Sequence, residues 1–131
     1  MSGEQSSFVF DASAILALLR RESGHEEIED FLEGSRVSAV NLCEAATKLE
    51  EEGNPADEVA VVLDALNLTV VPFNTPLALR AASLRNPTKH VSLSLGDRAC
   101  LATAIDLGLP VVTTDRIWTK LDLGIPIHVV R

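Results

Sequence analysis

The sequence predicts an α/β domain, a three-layer α/β/α sandwich around a mostly parallel sheet of four to five strands. Three observations lead there. Short apolar runs alternate with longer segments of helical periodicity, as strands joined by crossover helices require. The central runs are continuously apolar, which suits a sheet buried on both faces. The chain has 131 residues, 47% of them hydrophobic. It shows no repeat, linker or low-complexity tract, so residues 1–131 read as a single domain with its own core.

Each element follows from its local pattern. Phe8-Val9-Phe10 is a short strand run ending at Asp11. Ala14 to Arg21 reads as a helix that Ser13 is placed to cap. Beyond Gly24, His25 to Glu33 sets Ile28, Phe31 and Leu32 on one helical face. Val37 to Val40 is a second strand running into a helix, Asn41 to Glu52, which stops at Gly53-Asn54-Pro55. Ala56 to Leu66 is helical, with Val59, Val62, Leu63 and Leu66 at helical spacing. Thr69 to Val71 is a third strand, and Thr75 to Arg85 a helix with Pro76 in its first turn. Asn86 to Leu93 reads as a loop and Gly96 to Leu107 as a helix ended by Gly108. Val111 to Thr113 is a fourth strand, Ile117 to Leu121 a short helix, and Ile127 to Val130 a terminal strand.

Composition narrows the function classes. With 11 Lys+Arg against 19 Asp+Glu the formal charge is −8, which weighs against a free-standing basic nucleic-acid binder. The abundance of apolar residues excludes a mostly disordered chain. Two cysteines, Cys43 and Cys100, are too few for a disulfide scaffold and read as small buried thiols. No apolar run approaches the ~18 residues that span a bilayer. Met1 to Ser7 lacks the basic region and apolar core of a targeting signal. A reduced, cytoplasmic setting is the simplest fit. With no Tyr and one Trp, an aromatic platform for single-stranded nucleic acid is not expected.

Ligands of parallel sheets bind beyond the carboxyl ends of the strands, where strand order reverses. Asp11 directly follows the first strand and Asp115 lies just past the fourth. Asp97 falls in the first turn of the helix after Ser94, and Glu44 in the first turns of the helix after Val37–Val40. Asn41 lies three residues before Glu44, on the same helical face. Each has a local structural role open to it. Asp97 fits a capping box with Ser94, Asp115 a cap for the next helix, Asp11 a turn with Ser13, and Glu44 a solvated helix surface. These roles are compatible with a shared one. Four carboxylates at one sheet edge repel each other, and a hard divalent cation, Mg²⁺ or Mn²⁺, resolves that conflict. Such an ion makes bound water acidic and stabilises phosphoryl charge, which is what phosphodiester cleavage needs.

The segments Phe10-Asp11-Ala12-Ser13-Ala14, Ser38-Ala39-Val40-Asn41-Leu42-Cys43-Glu44, Ser94-Leu95-Gly96-Asp97-Arg98-Ala99-Cys100-Leu101-Ala102 and Val112-Thr113-Thr114-Asp115-Arg116, in this order, resemble the PIN domain and its VapC-type toxins of toxin–antitoxin operons. The resemblance spans nearly the whole chain. It implies a PIN-like sandwich and a metal-dependent endoribonuclease that leaves a 3′-hydroxyl and a 5′-phosphate. It matches Asp11, Glu44, Asp97 and Asp115 to the acidic cluster, catalytic and metal-holding together. Ser13 and Thr113 match the small hydroxyl positions near the metal, and Asn41 the polar neighbour of the glutamate. It also implies an antitoxin seated in a groove near the first helices, where Arg20-Arg21 with Ile15, Leu16 and Leu19 can face a partner, and a homodimer.

Charge is unevenly placed. No Lys or Arg occurs from Glu50 to Leu79, while Arg80, Arg85, Lys89, Arg98 and Arg116 follow, a candidate patch for RNA phosphates. His25, His90 and His128 have no metal-ligand spacing with one another. A receiver domain would need paired acids after the first strand, and a dehalogenase-like phosphatase an Asp-x-Asp that Asp11-Ala12-Ser13 breaks. The remaining alternative is a catalytically silent module that binds metal or antitoxin.

Overall fold

Dipeptides and tripeptides too short to stand alone become one sheet by pairing across long stretches of sequence. In the computed structural model, which describes residues 7–131, the strands are β1 (Val9–Phe10), β2 (Arg36–Ser38), β3 (Thr69–Val71), β4 (Val111–Thr113) and β5 (Ile127–Val129). Their order is β3-β2-β1-β4-β5, and every recorded pairing is parallel. The stretch read as free of a targeting signal, Met1 to Ser7, lies outside the described residues except for Ser7.

Alternation along the strands sorts the core into two layers. Val9 and Val111 face helices α5 (Thr75–Ser83) and α6 (Leu95–Leu107), packing with Leu77, Ala81, Leu101, Ala104 and the fully buried Trp118. Phe10, Val37 and Val112 face the other way, against α1 (Ala12–Leu19), α2 (His25–Asp30), α3 (Ala39–Glu51) and α4 (Ala56–Asp64). The expected three-layer sandwich is thus present, with a sheet parallel throughout. Short 3₁₀ turns cover Lys89–Val91, inside the expected loop, and Arg116–Lys120, in place of the expected short helix.

Helix starts move from their expected positions for one reason: the strands run straight into the helices. α1 begins two residues early because the Asp11 side chain, not Ser13, caps it. α3 begins at Ala39 because Ser38, the last residue of β2, caps it through the Val40 amide. Cys100 is buried as expected, but Cys43 is exposed, because it lies on the face of α3 turned away from Ala45 and Leu49. Gly24 adopts φ +90° ahead of α2, and a side chain there would run into Val130. Among the described residues no helix is long and apolar enough to cross a membrane.

Candidate active site

Strand order reverses between β1 and β4, and Asp11 stands at that point. Its Oδ1 accepts the Ala14 amide at 2.8 Å and the Ser13 hydroxyl at 2.7 Å. Its Oδ2 accepts the Thr113 hydroxyl at 2.5 Å. Each hydroxyl has one proton and gives it to Asp11, so the 3.3 Å approach of Ser13 to Thr113 is a contact and not a further bond. Their oxygens in turn accept the amides of Thr114 and Asp115 at 3.0 and 3.1 Å. Side chains therefore lace the two strand ends together around a carboxylate only 5% exposed. Burial raises the Asp11 pKa to about 6. The Thr113 hydroxyl, the Ala14 amide and the Ser13 hydroxyl oppose that rise, while the Asp97 charge adds to it.

Glu44 arrives from α3. Asn41, one turn earlier and buried, donates from Nδ2 to Glu44 Oε1 at 2.9 Å and to the Gly96 carbonyl at 3.0 Å. Asp97 lies in the first turn of α6 and closes a capping box: Oδ2 accepts the Ser94 amide at 3.0 Å, and the Ser94 hydroxyl accepts the Asp97 amide at 3.1 Å. One turn on, the Cys100 thiol is pushed up by burial and then by the charges of Asp11, Asp97 and Glu44. Glu44 and Asp97 thus both lie at the first turn of α6, and the Asp97 charge is felt by Asp11 at the end of β1. Asp115 is the most exposed of the four, and its Oδ1 accepts the Ile117 amide at 3.1 Å, capping the 3₁₀ turn.

Among the described residues no three His, Cys, Asp or Glu side chains are gathered tightly enough to enclose an ion by themselves. The donor set is nevertheless one of hard oxygens, with a buried carboxylate whose charge lacks a cationic partner among its recorded bonds. Mg²⁺ commonly takes one or two carboxylates, keeps several waters and uses substrate phosphates for the rest. The residues present fit such an ion.

The five candidate phosphate contacts separate. Arg80, Arg85 and Lys89 are exposed, and the turn holding Lys89 packs against the Arg116–Lys120 turn that Asp115 caps. Arg98 does not join them: it turns inward, with one guanidinium nitrogen donating to the Ala81 carbonyl at 2.9 Å and Nε buried without a partner. Arg116 is engaged by the Arg131 carbonyl at 3.0 and 3.2 Å. Of the expected partner face, Ile15 and Leu16 are in the core. Leu19 and Arg20 line a groove of about 630 Å³ with Leu49, Glu52, Val59 and Val62. A second open cleft borders Glu44, Cys43, Leu95 and Gly96. Gly96 was not anticipated, although a glycine inside a first helical turn is a signal in itself.

A parallel sheet with a buried carboxylate at its switch point, and further carboxylates at the helix starts beside it, defines a small α/β domain with an acidic edge. The chain belongs to the PIN domain family, whose model matches residues 8–123. No curated protein matches it in sequence. Solved structures of similar fold include a chain of the DNA-bound VapBC from Salmonella typhimurium, 22% identical over 95% of this chain and 98% of that one, with TM-score 0.74. Another is VapC20 of Mycobacterium tuberculosis, a sarcin–ricin loop cleaving toxin, 18% identical over 92% and 99%, with TM-score 0.71. A chain of a toxin–antitoxin complex from Klebsiella pneumoniae is 20% identical over 87% and 92%, with TM-score 0.66.

Proposed function

We propose that this protein is a metal-dependent endoribonuclease, the toxin of a toxin–antitoxin pair, acting in the cytoplasm. The observation that carries the reading is Asp11: a carboxylate buried at the switch point, held by Ser13 and Thr113, with Asp97 in the first turn of α6 and the Glu44 carboxylate lying against Gly96 of the same turn. The family membership and the toxin–antitoxin structures of similar fold support it.

Asp11, Glu44, Asp97 and Asp115 would hold Mg²⁺ or Mn²⁺. When bound, such an ion supplies an acidified water and a polarised phosphoryl group. The chain's own groups do the rest. Ser13 and Thr113 fix the orientation of the Asp11 carboxylate, so no reorganisation is needed as charge develops. Asn41 donates to Glu44 Oε1 and holds that carboxylate in place, where it would ligate the metal or orient the attacking water. Arg80, Arg85, Lys89 and Arg116 would receive RNA phosphates. The groove beside Leu19 and Arg20 would receive the antitoxin, and a second copy of the chain completes the expected assembly.

Incubating purified protein with RNA in Mg²⁺, Mn²⁺ or EDTA tests the proposal. Cleavage is expected with either ion, absent in EDTA, and absent for Asp11→Asn. Cleavage that persists in EDTA removes the metal from the reading. The engagement of Glu44 by Asn41 and of Asp97 by Ser94 favours one second reading, a catalytically silent module. Mn²⁺ binding with no cleavage of any RNA would select it.

A further inference from the structure

Resting on the reading above, we propose that Asn41 and Gly96 form a seat that fixes the Glu44 carboxylate against the first turn of α6, and that both are positioning residues of the reaction. Asn41 is 1% exposed, and its amide nitrogen serves two acceptors on different helices, Glu44 Oε1 on its own and the Gly96 carbonyl on α6. One group thus sets both the spacing of α3 from α6 and the place of the carboxylate between them. Its Oδ1 is buried with no partner among the described residues. A buried acceptor left unmatched costs free energy, and an apolar side chain of similar shape would avoid that cost. The two donor bonds account for an amide at this position.

Gly96 is the other half. Glycine in a helix is disfavoured relative to alanine. No left-handed backbone at Gly96 demands it. What demands it is space: a Cβ there would overlap Oε1, Cδ and Oε2 of Glu44. The bare backbone lets the carboxylate lie over the start of α6, where the positive end of the helix dipole favours a negative charge. The obstacle a methyl group would meet is the end of a flexible side chain and not backbone. Gly96→Ala therefore leaves the fold in place and moves the carboxylate.

The experiment is a double-mutant cycle on the full chain, with wild type, Gly96→Ala, Glu44→Ala and the double variant. Mn²⁺ affinity is read by calorimetry, kcat by RNA cleavage, and folding by thermal melting. Gly96→Ala is expected to melt at or above the wild-type temperature. It should lose about tenfold or more in Mn²⁺ affinity and kcat, the range seen when a ligand's supporting partner is removed. In the Glu44→Ala background the same substitution should change neither. Asn41→Leu, which keeps the shape and removes the donor, should behave alike. Gly96→Ala with wild-type affinity and kcat overturns the seat, as does a loss that persists without Glu44. A wild type that neither binds Mn²⁺ nor cuts RNA fails differently: it removes the functional proposal, and the seat with it.

Discussion

Asp11 both caps α1 and holds a charge out of water, and the two roles pull its pKa in opposite directions. Burial wins, raising the carboxyl from 3.8 to about 6. Because the folded value lies above the unfolded one, the protonated form suits the fold. Stability is unaffected by this group below about pH 4, falls as pH rises from 4 to 6, and stays reduced above that, by on the order of 3 kcal/mol. Asp11→Asn keeps a capping side chain and carries no charge. It should therefore be more stable than wild type at pH 7.5 in EDTA, with the gap closing near pH 4, while cutting no RNA. Denaturant titrations at the two pH values check this, and an equal gap at both would show that charge is not the cause. The placement of Asp11 was legible because an apolar run delivers it to the strand end. That it, and not Ser13, caps the helix was not, since either residue suits a cap and the choice depends on where the strand stops. The direction of Arg98 was not legible for a similar reason: its sequence gives a charge, but the Ala81 carbonyl that draws it inward belongs to another helix.

At the scale of elements, the strand-to-helix junctions at Asp11 and Ser38 contain no connecting loop, so helix starts and site residues coincide. The capping box of α6 is the most local of these devices, and Ser94-Leu95-Gly96-Asp97 announced it directly. Ser94→Ala should cost about 1 kcal/mol. Urea unfolding followed by the fluorescence of Trp118, the chain's one tryptophan, measures it; an unmoved midpoint would mean the box contributes nothing. The 3₁₀ turn at Lys89–Val91 was not legible. It follows Thr88, whose hydroxyl donates back to the Leu84 carbonyl, and it leans on the Arg116–Lys120 turn far along the chain.

For the whole molecule, a charge of −8 coexists with a local basic surface at Arg80, Arg85 and Lys89. RNA binding should weaken as salt rises, and neutralising Arg85 and Lys89 together should flatten the logarithmic slope by about 1.4, using ~0.7 per single-strand phosphate contact. An unchanged slope excludes the pair from the interface. Alternation of strand and helix was readable along the sequence, because it is a local property. The order β3-β2-β1-β4-β5 was not, because it depends on pairings between distant residues. The bond from Thr113 to Asp11 spans 102 positions. Asp11 is made early and has nothing to hold its second oxygen until those residues exist and β4 has docked beside β1. During translation the acidic edge is therefore the late product of a chain otherwise able to begin folding, so the timing of synthesis itself delays the moment at which the Asp11 carboxylate is fully held.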